Sequence, residues 1–108
     1  MATSTGNLFI RRPKRLTKEV FEILLKGKNF RLERIVALGH ATPPGQWCDL
    51  DLAEWVVLLS GKARLLFEGE RKARVLRPGD WINIPSRKRH RVEWTDSKKR
   101  TVWLALHY

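Results

Sequence analysis

The sequence predicts an all-β domain with one short helix near the N-terminus. From residue 30 onward, short apolar segments recur about every ten residues, with turn-forming residues between them. Several segments alternate apolar and polar side chains, which is typical of strands with one face in a core. Together these observations predict an antiparallel sandwich or barrel.

The composition fits one globular domain. The chain has 108 residues, of which 43% are hydrophobic, enough for a single modest core. The single cysteine, Cys48, cannot form an internal disulfide. Apolar runs such as Trp55 to Leu59 are far too short to span a membrane, and residues 1–15 lack the apolar core of a signal peptide. We therefore expect a cytoplasmic protein without a membrane span.

Positive charge is unevenly distributed along the chain, which has a net charge of +11. Lysines and arginines outnumber acids by nine to three in residues 1–34 and by eleven to three in residues 71–108, whereas acids lead by five to two in residues 35–70. A basic surface can attract nucleic acid, an anionic membrane or an anionic substrate. Because no nucleic-acid-binding motif accompanies the charge, we favour a simple solvated face.

The N-terminal segments are predicted from local signals. Residues 1–15 are expected to form a basic arm. Residues 16–27, LTKEVFEILLKG, are predicted to form the short helix, with Thr17 as its N-cap and Gly27 as its stop. The helical spacing of an apolar stripe supports this prediction: Val20, Phe21, Leu24 and Leu25.

Residues 28–108 are predicted to form the β-domain. Ser60-Gly61-Lys62 and the RPGD sequence supply clear turn signals. Strands are expected in FRLERIVALG, EWVVLLS, KARLLFE, RKARVL, WINIP, RHRVEW and TVWLALHY.

Two of these strands carry one polar residue on an otherwise apolar face. Glu54 shares its face with Val56, and His90 shares its face with Val92 and Trp94. A carboxylate and an imidazole are costly to bury alone. We therefore expect Glu54 and His90 either to ligate a divalent metal or to hydrogen-bond each other.

The opposite faces of the same strands have different characters. Trp55 and Val57 make the second face of their strand apolar as well, so the helix, the arm or a second subunit must cover it. This makes a homodimer the expected state. Beside His90, the outward row of Arg87, Arg89 and Arg91 could contact the phosphates of a polyanion or nucleic acid.

At this point the spacing resembles that of a known family. Glu54, six residues and Gly61 resemble the end of the first cupin motif, and Gly79, five residues, Pro85 and then His90 resemble the second. The short gap between them resembles that of small single-domain bacterial cupins, over residues 30 to 108. The resemblance implies a cupin-type double-stranded β-barrel, or jelly roll, often dimeric, with Glu54 and His90 facing its interior.

The chain departs from the metal-binding cupin pattern. That pattern has His-x-His before the glutamate, where this chain has Trp47 and Asp49 at one spacing, or Cys48 and Leu50 at the other. Arg87 also replaces the second glycine of the later motif. The predicted metal ligands are therefore Asp49, Glu54 and His90, which could hold iron, manganese, nickel or zinc, or no metal at all.

Three functions follow from these features. The favoured one is a small-molecule-binding cupin, with Glu54 and His90 as catalytic acid–base candidates if the protein is an enzyme, which stays open. The alternatives are a non-catalytic dimeric scaffold and a polyanion binder. His107 and Asp51 are interpreted as structural and turn residues. The predicted pocket lining consists of Trp47, Cys48, Val56 and Trp94.

Overall fold

The computed structural model describes residues 3–9 and 16–108, so residues 1–2 and 10–15 of the predicted arm lie outside the described residues. Within them the chain forms eight strands and no helix. No segment of this described part forms a helix long and apolar enough to cross a lipid bilayer. The strands are β1 (Val20–Lys26), β2 (Arg31–Ala37), β3 (Glu54–Ser60), β4 (Ala63–Phe67), β5 (Arg74–Leu76), β6 (Trp81–Ile84), β7 (His90–Thr95) and β8 (Thr101–His107).

The strands form two antiparallel sheets, as the sequence predicts. The larger sheet has the order β1-β2-β8-β3-β6, and the smaller has the order β5-β4-β7. Alternating side chains from both sheets meet in one apolar core, because strand residues of the same parity share a face. The core residues are Val56, Leu58, Ala63, Leu65, Phe67, Leu76, Ile84, Trp103 and Ala105.

The predicted helix over residues 16–27 is wrong, because most of this segment is strand β1. Its residues pair antiparallel with β2, from Val20 opposite Val36 to Lys26 opposite Arg31. A helix cap is worth only about 1 kcal/mol, less than a ladder of this length, which carries several backbone hydrogen bonds. Gly27 does not end a helix; it opens the turn to β2, and its N–H donates to the carbonyl of Phe30 over 3.0 Å.

The predicted turn at Ser60-Gly61-Lys62 is a corner rather than a hairpin, since β3 and β4 belong to different sheets. Gly61 has a φ of +86°, and a Cβ at this position would lie 2.6 Å from the Cα of Thr101. Only glycine fits such a close approach in this conformation.

The predicted core face of β3 is confirmed. Val56 and Leu58 are buried in the core with 5% and 0% exposure. On the other face, Trp55 stacks against Trp81 of the neighbouring strand with 5.9 Å between ring centroids. Trp81 is 61% exposed, so this outer face is only partly covered by the described residues.

Candidate functional site

Glu54 and His90 face each other from opposite sheets at one end of the core. His90 Nε2 lies 3.5 Å from Glu54 Oε1, and both side chains are largely buried. His90 Nδ1 lies 2.9 Å from the carbonyl oxygen of Lys88. A carbonyl only accepts, so Nδ1 carries a hydrogen, and Nε2 needs a second hydrogen to face a carboxylate favourably. The geometry therefore favours a charged His90 paired with Glu54.

The electrostatic surroundings of His90 agree with this protonation. Burial, the largest single influence, lowers the pKa of His90, but the Glu54 carboxylate and the Lys88 carbonyl together outweigh it. The net result is a pKa raised above the ordinary value of 6.5. His90 is thus an acid held beside its own counter-ion.

Two further residues extend this pair: Glu33, which the sequence analysis did not single out, and His107, which it interpreted as structural. His107 Nε2 lies 3.0 Å from Glu33 Oε1 and 3.6 Å from Glu54 Oε2. Arg31 Nε donates to Glu33 Oε1 over 2.8 Å at the far end. Glu33, Glu54, His90 and His107 therefore form an alternating row of carboxylates and imidazoles across the interior, which we call the acid–imidazole row.

Strand phase and register explain why this row was missed. On β8, His107 has the same parity as Trp103 and Ala105, which are core residues, so its inward direction was readable from alternation. The decisive fact is the register, which puts His107 directly opposite Glu54 and opposite Arg31. A sequence alone does not specify which residues of distant strands are paired.

A strap, residues 42–53, runs beside β7 and closes this end of the barrel. Cys48 N donates to the His90 carbonyl over 2.7 Å, and His90 N donates to the Cys48 carbonyl over 3.2 Å. Further along, the N–H of Arg87 donates to Leu50 O over 2.8 Å, and Ala53 and Tyr108 exchange two backbone hydrogen bonds. The strap is therefore tied down along most of its length.

The acidic residues of the strap bind an arginine rather than the interior. Asp49 accepts two contacts from the Arg87 guanidinium, at 3.2 and 3.3 Å, and Asp51 accepts one at 2.7 Å. Asp49, predicted as a metal ligand together with Glu54 and His90, is thus paired with Arg87 in this structure.

In the described residues, the predicted ligands Asp49, Glu54 and His90 are not assembled into a metal-binding group. Across residues 3–9 and 16–108, no group of three or more His, Cys, Asp or Glu side chains is arranged to hold a metal ion. Glu54 faces an imidazole with each of its oxygens, and His90 uses both ring nitrogens, so neither offers an uncommitted donor. The chemistry available here is that of an acid–base pair.

The predicted pocket residues are found at different places. Val56 is buried on the core face, and Cys48 is half-buried in the strap. Burial and the nearby Glu54 charge raise the pKa of the Cys48 thiol, against a hydrogen bond with Thr42. Trp47 is half-buried, with the Arg89 guanidinium 5.9 Å from its ring centroid. Cys48 is therefore the strap residue next to the Glu54–His90 pair.

The predicted position of Trp94 on the face of His90 is wrong. The pairing of β4 with β7 shifts between Val92 and Trp94, which makes a bulge. Trp94 consequently lies opposite the exposed Arg64, whose guanidinium carbon is 4.9 Å from the ring centroid. A bulge inserts one residue and reverses the facing of all that follow, so simple alternation fails there.

The row of arginines is already engaged with the protein itself. Arg87 binds the strap carboxylates, Arg89 Nη1 lies 2.7 Å from Glu68 Oε2, and Arg91 donates to the Thr42 carbonyl over 3.0 Å. These contacts leave less positive charge for phosphates. Polyanion binding stays a prediction, and the geometry does not favour it as the main function.

Solved structures give the family. No family model and no curated protein matches the chain. A crystal structure from Ralstonia eutropha JMP134, of a protein provisionally assigned as a mannose-6-phosphate isomerase, is 47% identical, covers 97% of each chain and has a TM-score of 0.94. A cupin superfamily protein from Desulfitobacterium hafniense DCB-2 is 16% identical over 89% of this chain and 82% of its own, with a TM-score of 0.72.

A third similar structure has a named fold. An RmlC-like cupin with a double-stranded β-helix fold, from Methanocaldococcus jannaschii, is 13% identical over 89% of this chain and 84% of its own, with a TM-score of 0.69. The chain therefore has the cupin fold, and it belongs to the same family as the Ralstonia protein, to which it is similar over nearly its whole length.

Proposed function

We propose that this cupin binds a small polar molecule at the barrel end that contains Glu54 and His90. The observation that carries the proposal is the buried ion pair itself. Burying two charges costs more than packing apolar side chains in the same space. Buried titratable groups with a perturbed pKa, such as His90, are concentrated at functional sites. The acid–imidazole row therefore supports a ligand site more than a stability device.

The chemistry of the pair suggests proton transfer. A Glu54 carboxylate can accept a proton, and the protonated form of His90, which the raised pKa favours, can donate one. The provisional assignment of the Ralstonia protein makes a sugar phosphate the first ligand class to test. Isomerisation of such a sugar moves a proton between neighbouring carbons, which requires a base and an acid at one site. The net charge of +11 also favours an anionic ligand.

Ligand titration tests the proposal. Mannose 6-phosphate, mannose and inorganic phosphate would each be added to ¹⁵N-labelled protein, with the histidine ring signals followed by NMR. We expect saturable shifts of His90 with the sugar phosphate, and their loss in Glu54→Gln. Glu93→Gln is the matched control, since Glu93 is exposed and lies on the same strand as His90, and this variant should bind the sugar phosphate normally. Saturable shifts that survive in Glu54→Gln, or no saturable shift with any of the three compounds, would overturn the proposed site and ligand class.

We also propose that a second copy of the chain covers the outer face of the larger sheet. The supporting observations are the stacked Trp55 and Trp81 on this face and, on the edge strand, Leu25, which pairs with Leu32 and is 58% exposed. Exposed apolar surface of this kind typically marks an interaction site. Sedimentation equilibrium should give a dimer that Trp81→Lys weakens, whereas Val75→Lys on the smaller sheet leaves it intact. A monomeric wild type would refute it.

A further inference from the structure

Arg87 has an unusual backbone conformation. Its φ is +64°, and it is the one non-glycine residue with a positive φ in the described part of the chain. Side chains other than glycine are disfavoured there, so something in the surroundings must hold the residue in place.

The side chain of Arg87 shows what holds it. Its guanidinium makes three charged contacts, two with Asp49 and one with Asp51, at 2.7 to 3.3 Å. Its backbone N–H donates to Leu50 between them. Arg87 therefore binds three consecutive residues of the strap from one position.

The strap runs directly alongside His90 of the pair. Cys48, immediately before the residues held by Arg87, is paired with the His90 backbone, and its thiol is close enough to Glu54 to feel the carboxylate charge. His90 is only 6% exposed, so a ligand reaches the pair only if a neighbouring segment moves, and the strap is the neighbour that forms backbone hydrogen bonds with it.

From this arrangement we propose that Arg87 is a latch, whose ion pairs with Asp49 and Asp51 hold the strap closed over the ligand site. The ligand that the strap would admit rests on the proposed function, whereas the test of the latch needs no ligand. Because Arg87 and Asp51 are 61% and 90% exposed in their side chains, salt should screen their attraction. Raising the ionic strength should therefore increase the open fraction of the strap.

Cys48 reports on this opening without any ligand. It is the single cysteine of the chain, so a thiol reagent such as 5,5′-dithiobis(2-nitrobenzoate) labels one site, in the strap itself. When the strap closes faster than the reagent reacts, the labelling rate follows the equilibrium population of the open state. The rate would be measured at low and high salt in the full-length protein.

Three proteins are compared: wild type, Arg87→Gly and Arg74→Gln. Arg74 forms an exposed ion pair with Glu70 away from the strap, so Arg74→Gln controls for the loss of one exposed pair. Removing the Arg87 cation by itself disfavours the reactive thiolate and slows labelling. Faster labelling in Arg87→Gly is therefore attributable to opening.

We expect Arg87→Gly to label roughly three to ten times faster than wild type at low salt, the range that exposed ion pairs support. Salt should accelerate labelling of wild type and Arg74→Gln but have little effect on Arg87→Gly. The thermal midpoint of Arg87→Gly should be unchanged or higher, because glycine adopts the positive φ without strain.

Two results would overturn the latch. One is labelling of wild type that does not depend on salt. The other is a labelling rate in Arg87→Gly no faster than in wild type. A labelling increase that accompanies an equal loss of global stability would instead assign Arg87 an ordinary structural role. Failure of sugar-phosphate binding would affect the proposed function alone, since no ligand enters this experiment.

Discussion

Replacing Glu54 with glutamine should reverse the pH dependence that His90 gives to folding stability. In the wild type, burial lowers the pKa of His90, yet Glu54 and the Lys88 carbonyl together raise it above 6.5. In Glu54→Gln the carboxylate is gone and only the carbonyl opposes burial. Because burial is the largest single influence, the pKa of His90 in the folded variant should then lie below that of the unfolded chain.

The two proteins should therefore have opposite slopes. In the wild type, the stability due to His90 is fully present below the unfolded pKa and is lost as pH rises through the higher folded pKa. In the variant, the unfolded chain takes up the proton first, so stability is lost as pH falls through the unfolded pKa of about 6.5. One proton sets the limit of each slope at about 1.4 kcal/mol per pH unit.

Urea unfolding measures these slopes directly. The five tryptophans give a fluorescence signal, and midpoints would be recorded between pH 5.5 and 8. When the pH dependence of stability in Glu54→Gln is subtracted from that of wild type, the contributions of all groups that titrate alike in both proteins cancel. The control makes the same comparison in proteins that already carry His90→Gln. In that background, Glu54→Gln should no longer change the slope. Parallel profiles for wild type and Glu54→Gln would refute the pairing of Glu54 with His90.

Two further predictions concern the fold that holds this site. Leu58→Ala should lower the free energy of unfolding by about 3 kcal/mol, within the range for fully buried leucines, and a loss under 1 kcal/mol by urea unfolding would contradict the core described here. Gly61→Ala should destabilise at least as strongly, because its methyl group would lie 2.6 Å from the Thr101 Cα and the φ is +86°. Gly69→Ala is its control, since the φ is +89° but nothing lies within 4 Å of the added Cβ; equal thermal midpoints for the two variants would exclude the steric explanation.

Much of the fold was predictable because alternation and turn residues are local signals. The strands that contain Glu54 and His90, and the inward direction of both side chains, follow from period-two patterning and the motif spacing. The segment 16–27 was mistaken because its apolar residues fit a helical stripe and a strand alike. Pairing with β2 makes this segment a strand rather than a helix. The pairing partner of a segment cannot be read from its local sequence.

The candidate site was predictable only in part, for physical reasons. Glu33 and His107 join Glu54 through strand register, a long-range property. Trp94 is turned outward by a bulge, which alternation does not reveal. Asp49 was predicted as a ligand because it stands at a histidine position of the cupin metal motif, and the sequence did not show that Arg87 would contact it.

The central claim is that Glu54 and His90 are an ion pair that receives a ligand, rather than metal ligands. Side-chain ¹⁵N NMR of the histidines at pH 7, before and after one equivalent of Zn²⁺, tests it most directly. We predict that His90 carries hydrogens on both ring nitrogens and that its signals stay in place when zinc is added. A His90 Nε2 signal that lacks a hydrogen and moves to a metal-bound position with zinc would contradict the account.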